Sequence, residues 1–152
     1  MLSAADQGRL REEFAAMTRP VRLLLFTQTF GCETCQQARQ VVDELPPLSD
    51  RVTVEEVNFV LEPDRARQYG IDRVPALALT YLEPAGAEGK APPAVRDSRI
   101  RFVGVPAGYA FISLVQAVLL VGGRPPRLTG ASRERLGALA RPITMQVFTT
   151  PT

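Results

Sequence analysis

Val21-Arg-Leu-Leu-Leu-Phe-Thr27, then Gln28-Thr-Phe-Gly31, then Cys32-Glu-Thr-Cys35 is the stretch on which the reading of this 152-residue chain turns. A short, nearly continuous apolar run bounded by Pro20 and Gly31 suits a central strand covered on both faces. Cys35 to Leu45 reads as a helix stopped by Pro46-Pro47. Val52 to Val60 is β-branched and reads as a second strand, parallel to the first through that helix.

Working outward, Ser3 to Met17 places Leu10, Phe14 and Met17 on one face, which predicts an amphipathic helix ended by Pro20. Pro63 suits the first residue of a short helix ending at Gly70. Pro75 to Leu82 and Ile100 to Val103 are strand-like, and Glu83 to Ser98, with its Pro and Gly residues, reads as a long hairpin loop between them. Gly104 to Gly108 turns the chain into a last long helix ending near Gly122-Gly123. The order α-βαβ-α-ββα predicts an α/β, thioredoxin-like fold: a mixed four-stranded sheet flanked by helices.

Lys+Arg total 18 and Asp+Glu 16, a formal net charge of +2. That balance points to neither nucleic acid nor an anionic membrane surface. Hydrophobic residues make up 45% and charged residues 22%, as in an ordinary folded domain. His is absent, which excludes Ser-His-Asp and Cys-His catalysis, His metal ligands and a His-based pH switch. The first residues mix charges of both signs, and the most apolar stretch, Phe111 to Gly122, is interrupted by Ser113 and Gln116. Neither a signal peptide nor a membrane span, which needs ~20 residues, is expected. The expected setting is cytoplasmic, where a bare Cys pair is more often redox-active or metal-binding than a structural staple.

The last residues repeat the first. Shifted by 122 positions, Arg11-Glu12 falls on Arg133-Glu134, Arg19-Pro20 on Arg141-Pro142, and Phe26-Thr27 on Phe148-Thr149. Leu23 falls on Met145 and Leu25 on Val147. The expected organisation is a thioredoxin-like unit over 1–123, a linker over 124–130, and over 131–152 the truncated start of a second such unit. Within that start, Ala131 to Ala140 reads as helix and Arg141 to Thr149 as strand. Such a strand, over Ile143 to Thr149 and without its own sheet, presents unpaired edge groups and is expected to pair with another chain, a route to a dimer, to lie across the first unit, or to be poorly ordered.

Cys32 and Cys35 are the chain's two cysteines. Between a buried strand and a helix, Cys32 falls at the helix N-terminus, where free N–H groups and the dipole favour a thiolate. Cys35, one turn on, can displace a mixed disulfide from Cys32. Glu33 opposes the thiolate if it points inward, and is expected to face solvent. A lone C-x-x-C also reads as half a zinc site or as an inert buried pair, but zinc wants about four ligands. Arg73 either biases the neighbouring groove towards acidic partners or is simply solvated.

The residues Leu24-Leu-Phe-Thr27 with Gly31-Cys-Glu-Thr-Cys35, Tyr69-Gly-Ile-Asp-Arg-Val-Pro-Ala-Leu77 and Gly104-Val-Pro-Ala-Gly108 carry a resemblance. Over roughly Leu10 to Gly123 the chain resembles the N-terminal unit of the glutaredoxin-like protein disulfide oxidoreductases, whose members look like two thioredoxin folds in tandem. The resemblance implies dithiol/disulfide exchange, with Cys32 as nucleophile, Cys35 as resolving thiol, and Val74-Pro75 as a cis bond whose Val74 backbone pairs with substrate. It implies disulfide-containing protein substrates, a dithiol electron donor such as a thioredoxin-reductase-like flavoenzyme, no cofactor and no metal. Asn58 stands where such relatives lead one to expect an acidic residue. Two rival functions are a non-catalytic docking module and metal or iron–sulfur binding across a dimer.

Overall fold

The computed structural model describes residues 2–83 and 94–149. The elements run α1 (Ala4–Ala15), β1 (Val21–Thr27), α2 (Cys35–Val42), β2 (Val52–Asn58), α3 (Pro63–Gln68), β3 (Ala76–Glu83), β4 (Ala94–Val103), α4 (Tyr109–Val121) and α5 (Gly130–Gly137). The sheet order is β2-β1-β3-β4. β1 pairs parallel with β2 and antiparallel with β3, and β4 is antiparallel to β3. This is the mixed four-stranded α/β sheet of a thioredoxin-like fold.

β1 is buried except at Arg22 because helices cover both faces of the sheet. Leu23 and Leu25 point into a core with Phe14 of α1, Ala38 and Val42 of α2, and Leu114 and Val118 of α4. Leu24 and Phe26 point the other way, onto Ala66 of α3 and Ile71. α1 starts where Ser3 accepts a hydrogen bond from the Asp6 N–H at 3.1 Å. α2 is shorter than expected: it ends at Val42, and Pro46–Leu48 forms a separate 3-10 turn. β2 likewise stops at Asn58 rather than Val60.

Two larger departures have physical causes. The expected hairpin loop over Glu83 to Ser98 is partly strand, since β4 begins at Ala94 and Glu83 pairs with it. The rest of that loop, 84–93, lies outside the described residues. Ala94 to Arg99 is charged yet holds a strand because β4 is an edge, with one side open to water. Near its middle the register shifts, with Arg99 at φ 62° and the Ser98 hydroxyl donating to the Leu79 carbonyl at 2.6 Å.

The second departure is the tail. Arg141 to Thr149 was expected as a strand and forms none. A strand needs a ladder partner, and the edges β2 and β4 carry Glu55, Glu56, Arg96 and Asp97 and the register shift instead. The helical part of the repeat is present. Ala16 caps α1 at φ −78°, ψ −4°, and Ala138, 122 positions later, caps α5 at φ −82°, ψ −1°. Phe14, Met17, Val21, Leu23, Leu25 and Phe26 are core, while their counterparts Leu136, Leu139, Ile143, Met145, Val147 and Phe148 are all exposed, Phe148 to 90%.

Candidate redox site at Cys32 and Cys35

β1 delivers the chain to the site. After Thr27 it leaves the sheet, turns at Gly31 with φ +72°, a conformation that favours glycine, and reaches the cysteines. Cys32 and Cys35 form a disulfide with S–S 1.96 Å and Cα–Cα 5.4 Å. Cys32 is partly exposed, whereas Cys35 is the first residue of α2 and only 6% exposed. The pair is therefore asymmetric. A substrate approaching from solvent meets Cys32 first.

Cys32 is not itself helical. It precedes the cap residue Thr34 by two positions, and the Cys35 N–H donates to its carbonyl at 3.4 Å. Thr34 makes no side-chain capping bond, so the first turn of α2 opens towards Cys32 without a competing hydroxyl. Glu33 is exposed. Phe30, two residues ahead of Cys32, is 86% exposed, a large apolar surface that a strand-and-motif reading passes over.

The Val74–Pro75 peptide bond is cis. Ala76, which opens β3, lies opposite Phe26 near the end of β1, so Val74 and Pro75 come to the sheet end that carries the Cys loop. Pro75 is buried, and its carbonyl accepts from the Gly104 N–H at 2.8 Å. Val74 makes no backbone hydrogen bond among the described residues. Arg73 is paired on two nitrogens with Asp72, both at 2.9 Å, and that guanidinium holds the Asp72 carboxyl below the usual range. Its charge is thus matched locally, and the groove gains little acidic preference from it.

On the β2 side, Cys35 lines a polar cleft of about 530 Å³ with Thr27, Gln36, Arg39, Glu56 and Glu62. The Thr27 hydroxyl donates to Glu56 Oε1 at 2.7 Å, and Arg39 pairs with Oε2. Asn58 shapes the loop after β2, its Oδ1 accepting from Val60 and Leu61 at 3.0 and 2.9 Å. The Asn58 N–H and the Arg65 guanidinium hold the Glu62 carboxyl below its ordinary range. Thr27, Arg39 and Glu56 went unnoticed in the sequence because they meet only through the fold. Among the described residues no group of three or more His, Cys, Asp or Glu is placed to hold a metal ion. No helix there is long and apolar enough to cross a membrane.

No family model matches the chain. Over 96 residues it is 29% identical to an NADH dehydrogenase of Bacillus subtilis (strain 168), covering 63% of this chain and 14% of that protein. It is 27% identical over 97 residues to a thioredoxin of Methanocaldococcus jannaschii, covering 63% of this chain and 93% of the other. Among solved structures, the NTD_N/C domain of the alkylhydroperoxide reductase AhpF from Enterococcus faecalis is similar with a TM-score of 0.76 and 26% identity, over 93% of this chain and 62% of that one. A protein disulfide oxidoreductase from Aeropyrum pernix shares the fold, with a TM-score of 0.70 and 24% identity over 91% of this chain and 56% of the other. The chain thus spans about three-fifths of the AhpF structure and about a seventh of the Bacillus relative.

The four-stranded fold, the Cys32–Cys35 pair and these likenesses together support a disulfide oxidoreductase. The likeness is to thioredoxin- and glutaredoxin-like redox proteins, and in this chain the disulfide pair lies between the central strand and α2.

Proposed function

We propose that this chain exchanges disulfides with protein or small-molecule substrates through a mixed disulfide at Cys32. In the reducing direction the Cys32 thiolate attacks a substrate disulfide, bonding to one sulfur and expelling the other as a thiolate. Cys35 then attacks Cys32, closing the intramolecular disulfide and releasing the reduced substrate. A dithiol donor restores the pair. Val74, with its unpartnered backbone beside the site, offers hydrogen bonds to an extended substrate segment. The observation that carries this reading is the disulfide between a partly exposed Cys32 and a buried Cys35 at the strand-to-helix loop.

The likeness to proteins named NADH dehydrogenase and alkylhydroperoxide reductase supports a flavoenzyme as that donor. Residues 1–123 act in this reading as one unit, 124–130 as a linker, and 131–152 as the opening of a second unit whose exposed apolar residues await a sheet.

Reduction of insulin by dithiothreitol tests the proposal. The wild-type chain should accelerate it well above the Cys32→Ser variant. Equal rates would leave a docking module in its place.

A further inference from the structure

Between Ile71 and Pro75 the chain has little of its own to hold it. Asp72, Arg73 and Val74 make no backbone-to-backbone hydrogen bond among the described residues. Yet Val74 lies in this span, and its backbone must be presented in one arrangement to pair with an extended segment. β4 supplies the restraint from both ends. The Gly104 N–H holds the Pro75 carbonyl at 2.8 Å. Three residues earlier, Arg101 Nε holds the carbonyl of Tyr69, the residue that caps α3, at 2.8 Å.

Arg101 is aimed at Tyr69 by the irregularity in β4. Ala78 pairs with Arg101 and Thr80 with Asp97, so three residues of β4 stand against Leu79 alone. In a regular strand, residues four apart are ~13 Å distant, too far for an ion pair. The bulge, with Arg99 at φ 62°, closes that gap. Asp97 takes the Arg101 guanidinium on both oxygens, at 2.8 and 2.6 Å, and accepts from the Arg99 N–H at 2.8 Å. A forked pair fixes the plane of the guanidinium as well as its place. Arg101 Cζ stands over the Tyr69 ring, 5.5 Å from its centre, and that ring packs on Phe26. The pair is sheltered, Arg101 being 21% and Asp97 33% exposed in their side chains.

We propose that Arg101 is a positioning residue for protein substrates: clamped by Asp97, it fixes the end of α3 and so presents the Val74 backbone for pairing. This role rests on the exchange chemistry above and adds no step to it, since no hydrogen bond or ion pair joins Arg101 to the Cys pair among the described residues. Without the Tyr69 bond, the span from Gly70 to Val74 spreads over several arrangements. The apparent affinity for an extended substrate then falls with the fraction that remains competent. A small disulfide that does not pair with Val74 is unaffected.

Pre-reduced protein is mixed with insulin over a range of concentrations, quenched by alkylation and weighed, which gives a half-saturating concentration and a limiting rate. Ellman's reagent serves as the small disulfide. Arg101→Gln should raise the half-saturating insulin concentration about tenfold, the worth of one hydrogen bond from a charged donor. Its limiting rate, and its rate with Ellman's reagent, should stay within about twofold of wild type. Arg101→Lys keeps the charge but not the fork. It should fall between wild type and Arg101→Gln, and it carries the test if circular dichroism shows Arg101→Gln unfolded. Arg96→Gln, which breaks the β4 pair with Glu83, should match wild type with both substrates. An unchanged half-saturating concentration, equal losses with insulin and Ellman's reagent, or Arg96→Gln matching Arg101→Gln would overturn the proposal. So would a wild-type chain active on Ellman's reagent alone. A wild-type chain no faster than Cys32→Ser with either disulfide would overturn the exchange reading itself, and this role with it.

Discussion

Phe26 lies opposite Ala76 in the antiparallel pairing of β1 with β3, and this pair sets the geometry of the site. Beyond it β1 runs out towards Cys32, while β3 arrives from Val74 and Pro75. Two segments distant in sequence therefore meet at one end of the sheet. Phe26 also packs tilted against Tyr69, ring centres 6.1 Å apart, and the Tyr69 carbonyl accepts from Arg101 Nε at 2.8 Å. The approach to Pro75 is thus anchored from both the central strand and β4.

The repeat separates core from tail. Phe14, on the inner face of α1, is fully buried, and its counterpart Leu136 is exposed. Phe14→Ala should cost about 3–5 kcal/mol, as for a large core aromatic. Leu136→Ala should stay within about 0.5 kcal/mol, as for a surface site. Urea unfolding of both variants checks the contrast, and a comparable loss in Leu136→Ala would mean that the tail packs on the unit.

Removal of everything after Gly130 should leave the melting temperature within about 2 °C of the full chain, since the deleted side chains are largely exposed. Thiol exchange rates should be unaltered. Size-exclusion chromatography should show less self-association in the truncated chain, because the exposed Ile143, Met145, Val147 and Phe148 are gone.

Acid should act on β4 through Asp97. Burial raises the Asp97 carboxyl, but the Arg101 guanidinium at 2.6 and 2.8 Å and the Arg99 N–H outweigh it and hold the group below its ordinary value. A depressed carboxyl stabilises the fold above its unfolded pKa, about 3.9, and loses that contribution as pH falls through the folded value. Asp97→Asn should therefore be less stable than wild type at neutral pH by about 1–2 kcal/mol. The gap should narrow below pH about 4. Denaturant midpoints measured across that range test it, and a gap independent of pH would contradict it.

The parts of this fold legible in the sequence were those written locally. Val21 to Thr27 announces a strand covered on both faces, and the Cys spacing with Pro75 points to the candidate site. What escaped depends on distant partners. Ala94 to Arg99 is strand only because β3 offers a ladder. Ile143 to Thr149, with apolar positions matching those of β1, forms no strand without a neighbour. Thr27 and Glu56 are 29 residues apart and meet through the parallel register of β1 and β2.

The most direct test of the central claim is trapping of the mixed disulfide. Cys35→Ser, incubated with a disulfide-containing protein and analysed by non-reducing electrophoresis with mass spectrometry, should accumulate a covalent adduct through Cys32 that dithiothreitol releases. Cys32→Ser should form far less. An adduct carried by Cys35, or none with Cys35→Ser while Cys32 remains free and alkylatable, would contradict the account.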